Sequence, residues 1–147
     1  MKILVINGPN LDMLRERDSK LYGCLSLEEI ELLVRKHYKN IEFEFFQSAI
    51  EGELINKINK NDADALIVNL GGYSHTSVAL KDALEICKKI KIEVHLSNLA
   101  SREGIRHTIL TASSCDGYIC GFKEYSYLAA VYIIVNIDRY KSNVLNI

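Results

Sequence analysis

The chain contains 147 residues, a length that predicts a single domain, residues 1–147, with a full hydrophobic core. Hydrophobic residues make up 48% of the sequence and charged residues 25%, which excludes a disordered or low-complexity chain. The formal net charge of −1 excludes the basic footprint of a nucleic-acid-binding protein. No apolar run approaches the roughly 20 residues that span a bilayer, so no membrane association is expected.

The N terminus and the cysteines predict a cytoplasmic protein. The first apolar stretch is short, ends in a turn and carries no signal-peptide cleavage site. The cysteines form no CxxC pair and lie in or beside apolar segments, as unpaired thiols do in a reducing compartment. No paired spacing of cysteine and histidine indicates a zinc site, so no metal is expected. The four cysteines are Cys24, Cys87, Cys115 and Cys120.

The chain begins with a strand–helix–strand pattern. Residues 3–6 form a short apolar run that predicts a buried strand. Ser26 and Glu29 make an S-x-x-E capping box, which predicts that a helix begins there. Residues 41–46 are the second predicted strand. Apolar side chains recur at helical spacing after the capping box, at Leu27, Ile30, Leu33 and Val34.

Three further strands alternate with helices in the rest of the chain. The strands are predicted at residues 65–70, 92–96 and 118–122. We expect a polar tail after Asp138 that frays or packs on a neighbour. The helices are predicted around residues 54–58, around 78–89 with Lys88 and Lys89 in the last turn, within 101–112, and over 127–135.

This alternation predicts an α/β fold with a parallel sheet covered by helices on both faces. Right-handed crossovers then give a flavodoxin-like doubly wound sandwich with a five-stranded parallel sheet. The connection formed by residues 7–25 is far longer than the roughly 2–6 residues usual between a strand and a helix. Open α/β sheets bind ligands at the carboxyl ends of their strands, so we expect this segment to be the lid of an active site.

Polar side chains cluster at the same ends of the predicted strands, and their donors and cations indicate a small, oxygen-rich anionic ligand. Glu93 and His95 alternate on one strand, so the carboxylate can orient the imidazole as a general acid. Tyr22 lies five residues from Arg17, and a nearby guanidinium favours the phenolate form that acts as a base. Taken singly, each pair also fits a structural role, a satisfied strand histidine or a packing tyrosine.

Motifs of several other functional classes are absent from the sequence. No G-x-G-x-x-G or Walker loop supports nucleotide binding. The histidines show neither H-E-x-x-H nor H-x-H spacing, which leaves a metal site unsupported. No G-x-S-x-G elbow supports a serine nucleophile. Acid–base chemistry by side chains remains.

The ordered set of motifs resembles the type II 3-dehydroquinate dehydratases, from about Lys2 to the C-terminal helix. The resemblance implies a flavodoxin-like sandwich, no cofactor, and a homododecamer built as a tetramer of trimers. The matching motifs are Asn7-Gly8-Pro9-Asn10-Leu11, Arg17, Tyr22-Gly23, Gln47-Ser48, Glu51-Gly52, Asn69 to Ser77, Leu80, Asp82-Ala83, Glu93 to Asn98, Arg102-Glu103 and Arg106-His107.

The implied reaction eliminates water from 3-dehydroquinate through an enolate to give 3-dehydroshikimate. It serves either the shikimate pathway to chorismate and aromatic amino acids or the catabolism of quinate. By the resemblance, Tyr22 is the base in its phenolate form, Arg17 favours that form and stabilises the transition state, and His95 is the acid. Glu93 orients His95, and Asn10 holds the water that stabilises the enolate. Substrate is bound by Asn69, His75, Leu96, Ser97 and Arg106, together with Asp82 from a neighbouring subunit.

The sequence departs from this family's usual pattern at the lid and near the C terminus. Arg15 stands where glycine is frequent, which predicts a stiffer lid, and Asp18 stands where glutamate is frequent. Lys123 and Ser126 replace customary glycines, so the turn after the fifth strand is expected to differ.

Two other functional classes are open alternatives. One is a catalytically silent binding module that keeps the fold. The presence of Tyr22, Arg17 and His95 argues against this alternative. The other is a nucleotide or flavin binder, which would need a phosphate-cradling loop. Type I dehydroquinate dehydratases use a lysine Schiff base in a (β/α)₈ barrel of more than about 200 residues, which this chain is too short to form.

Overall fold

The computed structural model describes the backbone of residues 1–144 and the side chains of residues 1–137. Within these residues, five parallel strands form one sheet in the order β2-β1-β3-β4-β5, which is the flavodoxin-like order. The predicted fold class is therefore confirmed. The strands are β1 (Lys2–Asn7), β2 (Glu42–Gln47), β3 (Ala65–Asn69), β4 (Ile90–His95) and β5 (Gly117–Cys120).

The strand register brings polar residues together at one edge of the sheet. Asn7 at the end of β1 pairs with Gln47 on β2 and with Asn69 on β3, and His95 pairs with Cys120. The strand order reverses between β1 and β3, and this switch point is where open α/β sheets leave a crevice for ligands.

Helices cover both faces of the sheet. The capping box is confirmed, because Ser26 Oγ accepts from Glu29 N at 3.2 Å and Glu29 Oε2 accepts from Ser26 N at 2.8 Å. None of the helices within the described residues has the length and apolar character needed to cross a bilayer. The helices are α1 (Ser19–Tyr22), α2 (Leu27–His37), α3 (Glu51–Asn59), α4 (Tyr73–Thr76), α5 (Val78–Ile86) and α6 (Tyr125–Val144).

The two halves of the core lie on opposite faces of the sheet. Along β1, Ile3 and Val5 face α2 and α6, whereas Leu4 and Ile6 face α3 and α5. All four side chains are fully buried, since a parallel strand covered on both faces has no polar side. This is why the strand reads as a continuous apolar run rather than as an alternating one.

The helix predicted within residues 101–112 is wrong. The structure has three short 3₁₀ turns there, Leu99–Ser101, Gly104–His107 and Thr111–Ser114. The segment has no apolar stripe to bury, as the 67% exposure of Ile105 shows, and packing therefore supplies no reason for a longer helix.

Two other boundaries differ from the predictions. Helix α5 ends at Ile86, so Lys88 and Lys89 follow it, and Lys88 Nζ reaches back to the carbonyl of Glu85 at 3.1 Å. Helix α6 continues through Asp138 to Val144, into the segment predicted as a polar tail. Residues 145–147 of that predicted tail lie outside the described residues.

The long connection after β1 is anchored to the core. Leu11 and Leu14 are each 2% exposed and pack on the face covered by α2 and α6. Asp18 caps α1 by accepting from Lys20 N at 2.8 Å. Arg15 Nη2 donates to Glu29 Oε1 at 2.7 Å, so the departure from glycine adds an ion pair between this segment and α2.

The two residues that replace customary glycines follow β5, Lys123 in the turn and Ser126 in the first turn of α6. Lys123 adopts a left-handed backbone conformation with a φ of 52°, and its N–H donates to the Leu96 carbonyl at 2.9 Å. Ser126 is fully buried, and its hydroxyl donates to the His95 carbonyl at 3.1 Å.

Candidate active site

A cavity of about 100 Å³ opens at the carboxyl ends of the strands, beneath the connection that carries α1. Eight of the predicted site residues line it, namely Asn10, Arg17, Tyr22, Asn69, His95, Leu96, Ser97 and Arg106. The remaining wall consists of Pro9, Leu11, Gly71, Gly72 and Leu99.

Tyr22 lies between two guanidinium groups. The Cζ atom of Arg17 is 3.6 Å from the centroid of the Tyr22 ring. Arg102 Nη1 donates to the Tyr22 hydroxyl oxygen at 2.9 Å and to Ser97 Oγ at 3.0 Å. Two guanidinium groups therefore contact the Tyr22 side chain, one at its ring and one at its hydroxyl.

The environments of the two arginines differ. Burial lowers the pKa of Arg17, and Arg106 and Arg102 lower it further although Tyr22 opposes them. Partial burial also disfavours the charged form of Arg102, but its hydrogen bond and charge interactions with Tyr22 and Glu103 raise its pKa overall. Both guanidinium groups remain charged at neutral pH, since the free value lies above about 12.

His95 is held from behind by a buried carboxylate. Its Nε2 donates to Glu93 Oε1 at 2.7 Å, and Thr111 Oγ1 donates to Glu93 Oε2 at 2.7 Å. The side chains of His95 and Glu93 are 6% and 0% exposed. Because Glu93 engages Nε2, Nδ1 is the ring nitrogen left to act in the cavity.

His75 stacks against His95, with ring centroids 6.0 Å apart and an interplanar angle of 26°. Its Nδ1 donates to the Thr108 carbonyl at 2.8 Å. Burial lowers the pKa of His75, and His95 and Arg106 lower it further although the Thr108 bond opposes them. The ring is therefore neutral at pH 7, and its buried Nε2 is an acceptor without a partner among the described residues.

Asn69 is held by a buried chain of hydrogen bonds. Its Nδ2 donates to the Tyr127 hydroxyl at 2.9 Å, and that hydroxyl donates to Asn7 Oδ1 at 2.6 Å. On its other side, Asn69 Oδ1 accepts from Gly71 N over a long 3.4 Å. The amide orientation is therefore set by groups on both of its sides.

Glu103 pairs with two arginines at the rim of the cavity. Its Oε1 accepts from Arg106 Nε at 2.6 Å and its Oε2 from Arg102 Nε at 3.2 Å. The hydrogen bond from Arg106 is the main cause that lowers the pKa of Glu103 to about 2. The carboxylate thus stays charged and holds both guanidinium groups in place.

Three predicted site residues do not line the cavity. Glu93 lies behind His95, and the His75 ring lies beside it. Asp82 is exposed on α5, in a shallow depression with Glu85, Ile86 and Lys88. A role of Asp82 in the site of another subunit stays a prediction.

Sequence reasoning assigned no role to three residues that organise the site. Arg102 is part of a matching motif, but its contact with Tyr22 spans 80 positions, and no local pattern indicates it. Thr111 and Tyr127 are fully or almost fully buried hydroxyl residues, and no local pattern marks their partners. Among the described residues, no three His, Cys, Asp or Glu side chains are grouped to hold a metal ion.

Comparisons with known proteins identify similar chains. A 3-dehydroquinate dehydratase of Thermotoga petrophila is 44% identical over 133 residues, which cover 89% of this chain and 92% of that protein. One from Helicobacter pylori is 44% identical over 144 residues, covering 93% of this chain and 86% of that protein.

Solved structures give the same result. The type II dehydroquinase of Butyrivibrio crossotus superposes with a TM-score of 0.88 at 41% identity, covering 91% of this chain and 97% of that chain. The type II dehydroquinase of Propionibacterium acnes gives a TM-score of 0.85 at 29% identity, covering 91% and 96% of the two chains. The family model described as Dehydroquinase class II matches residues 1–135, and this chain belongs to that family.

Proposed function

We propose that this chain is a hydro-lyase, a 3-dehydroquinate dehydratase of the shikimate pathway to chorismate and aromatic amino acids. One observation carries the proposal. A tyrosine hydroxyl bound by a guanidinium at 2.9 Å shares a cavity with an imidazole that is backed by a fully buried carboxylate. A base and an acid that line one small cavity together with arginines suit the elimination of water next to a ketone.

The first step is removal of a proton from the carbon next to the substrate ketone. The Tyr22 phenolate takes this proton, and the electron pair moves onto the carbonyl oxygen to form an enolate. Arg17 lies 3.6 Å from the centroid of the Tyr22 ring, and Arg102 lies 2.9 Å from its hydroxyl, so two positive charges stand beside the base. Asn10 lines the cavity in a left-handed backbone conformation with a φ of 65°, and it holds the water that stabilises the enolate oxygen.

The second step expels the C1 hydroxyl. The enolate collapses, the C–O bond breaks, and His95 Nδ1 donates its proton so that water leaves. Glu93 stabilises the protonated imidazole and holds its ring, and Thr111 holds Glu93. The protein supplies base, acid and enolate stabilisation from its own side chains.

Substrate recognition follows from the polarity of the cavity. Arg106 and the Ser97 hydroxyl receive the substrate carboxylate at the wall formed after β4. The unpaired Nε2 of His75 and the oxygen of Asn69 accept hydrogen bonds from ring hydroxyls. Leu96 closes the apolar side.

We further propose one catalytic domain per chain, assembled in the cytoplasm as a homododecamer that is a tetramer of trimers. The exposure of Asp82 away from its own cavity supports a shared site between subunits. Large exposed apolar side chains offer contact surface, among them Ile86, Tyr118, Phe122 and Tyr132. The four cysteines are unpaired in the described residues, as in a reducing compartment.

The deciding experiment mixes the purified protein with 3-dehydroquinate and follows near-ultraviolet absorbance as the conjugated enone forms. We expect turnover by the parent and a loss of about 10²–10⁴-fold in kcat for Tyr22→Phe and for His95→Ala. Calorimetric binding of 3-dehydroquinate should persist in both variants. A folded parent that binds but never turns over would favour the silent binding module instead.

Borohydride separates this mechanism from the lysine-dependent one. We expect no inactivation when borohydride and substrate are added together, because no Schiff base forms.

Light scattering measures the assembly, and a mixture of Tyr22→Phe and Asp82→Ala chains tests the shared site. Reassociated mixed oligomers should show activity that neither variant has alone. Inactive mixtures would place Asp82 in the site of its own chain, and full activity of Asp82→Ala alone would place Asp82 outside the reaction.

A further inference from the structure

Tyr127 is a buried polar residue behind the candidate site. It lies in the first turns of α6, is 1% exposed, and does not line the cavity. Its hydroxyl joins the ends of two strands, because it accepts from Asn69 Nδ2 at 2.9 Å and donates to Asn7 Oδ1 at 2.6 Å. A phenol has a single proton to donate, so the hydrogen bonds run in one direction, from Asn69 to Tyr127 and from Tyr127 to Asn7.

The direction is imposed from the cavity side. Gly71 N–H faces Asn69 Oδ1 at 3.4 Å, and a reversed Asn69 amide would set its own N–H groups against this donor. With Oδ1 on the Gly71 side, Nδ2 faces Tyr127, and the Tyr127 proton must go to Asn7. Gly71 and Asn69 both line the cavity, so Oδ1 lies on its wall as an acceptor.

The arrangement leaves one polar atom without a partner. Asn7 Nδ2 is buried and has no acceptor among the described residues. An unpaired buried donor is unfavourable for folding. The fold keeps this unpaired donor at the carboxyl end of β1, because the same arrangement defines Asn69 Oδ1 as an acceptor at the switch point of the sheet.

We propose that Tyr127 is a positioning residue that fixes the amide of Asn69 so that Oδ1 accepts a hydrogen bond from a hydroxyl of the substrate. The inference rests on the proposed function, because Asn69 is a substrate contact there. Without the Tyr127 hydroxyl, Asn69 Nδ2 loses its buried acceptor, and only the long 3.4 Å contact with Gly71 N–H opposes a turn of the amide N–H groups toward the cavity. Substrate binding then weakens, whereas Tyr22 and His95 keep their contacts.

The test compares steady-state kinetics of the full chain and Tyr127→Phe with 3-dehydroquinate, well below the unfolding temperature of both. We expect KM to rise about tenfold and kcat to change by less than about threefold. Tyr38→Phe is the matched control, since the Tyr38 hydroxyl donates to the Leu128 carbonyl on α6 at 2.8 Å, outside the cavity. It should lose stability but keep the wild-type KM.

A double-mutant cycle with Asn69→Ala separates positioning from a general structural effect. If Tyr127 acts through Asn69, the double variant has the same KM as Asn69→Ala alone. Additive effects, or an unchanged KM in Tyr127→Phe, would overturn the proposal. Wild-type protein without turnover of 3-dehydroquinate would instead contradict the proposed function.

If Tyr127→Phe does not fold, Asn7→Ala tests the same series of hydrogen bonds. It removes the acceptor of the Tyr127 proton, so the hydroxyl turns to donate to Asn69 Oδ1 and the amide of Asn69 reverses. We expect KM to rise about tenfold here also. A wild-type KM in Asn7→Ala would overturn the proposal.

Discussion

Arg102 Nη1 donates a 2.9 Å hydrogen bond to the Tyr22 hydroxyl, which joins the segment after β4 to the connection after β1. Replacing Arg102 by Gln removes the charge and should lower kcat by about 10- to 100-fold, because a hydrogen bond to a charged group contributes about 1.5–3 kcal/mol. Arg35→Gln is the control, since Arg35 lies over the Phe45 ring at 4.8 Å, away from the cavity. Wild-type turnover in Arg102→Gln would show that Tyr22 does not depend on this contact.

The Glu93–His95 pair predicts a graded response. Glu93→Gln removes the charge behind the imidazole and should lower kcat by about 10²-fold or more. Thr111→Val removes only the bond to Glu93 Oε2 and should lower kcat by about tenfold or less, because the contact with His95 remains. Rapid-mixing kinetics compare the chemical step in both variants, and equal losses would contradict this order of importance.

His75 predicts a pH dependence of substrate binding. Burial lowers its pKa below the usual value of about 6.5, so the ring is neutral at pH 7 and Nε2 accepts a hydrogen bond. Acidification protonates Nε2 and removes that acceptor, so KM should stay constant from pH 8 to about 6.5 and rise below it.

The matching variant is His75→Gln, which keeps an acceptor that does not titrate. Its KM should depend less on pH below about 6.5 than that of the wild type. His37→Gln, on the exposed end of α2, should keep the wild-type profile. Identical profiles for His75→Gln and the wild type would remove His75 from substrate binding.

The Arg15–Glu29 ion pair predicts an effect on the lid. An exposed ion pair stabilises the closed segment by about 1 kcal/mol at most. If opening of this segment limits turnover, Arg15→Gly should therefore raise kcat by less than about fivefold. Glu29→Gln breaks the same pair while its side chain still caps α2. The two variants should have equal kcat, and the difference from the wild type should shrink in 1 M salt as charges are screened. Unequal kcat values for the two variants would mean that glycine at position 15 acts through the freedom of its backbone and not through loss of the ion pair.

Lys123 predicts a gain in stability. Its left-handed φ of 52° is strained for a residue with a side chain, and glycine relieves this at the expense of more freedom in the unfolded chain. Lys123→Gly should raise the free energy of unfolding by about 0.5–1 kcal/mol, and Tm by about 2–4 °C in calorimetry. Lys123→Ala keeps its Cβ atom and should show no gain; a similar gain would assign the effect to the lost charge.

Local patterns predicted the elements whose signals and partners are close in sequence. The capping box of Ser26 and Glu29 spans three positions, and both of its bonds are present in the structure. The buried run of β1 was readable because a strand covered on both faces needs apolar residues at every position. The helix predicted within residues 101–112 was wrong, because this segment makes contacts through polar side chains and has no apolar stripe to bury.

The sequence by itself determined the fold class, the family and the residues brought to the cavity, since alternating strands and helices leave few ways to order the chain. It also supplied the base, the acid and the first arginine of the proposed site. Only the tertiary structure decided which groups act on them. Arg102 reaches Tyr22 across 80 positions, and Tyr127 reaches Asn69 across 58 and Asn7 across 120. Such contacts form when packing closes the sheet against α6, and no periodicity along the chain encodes them.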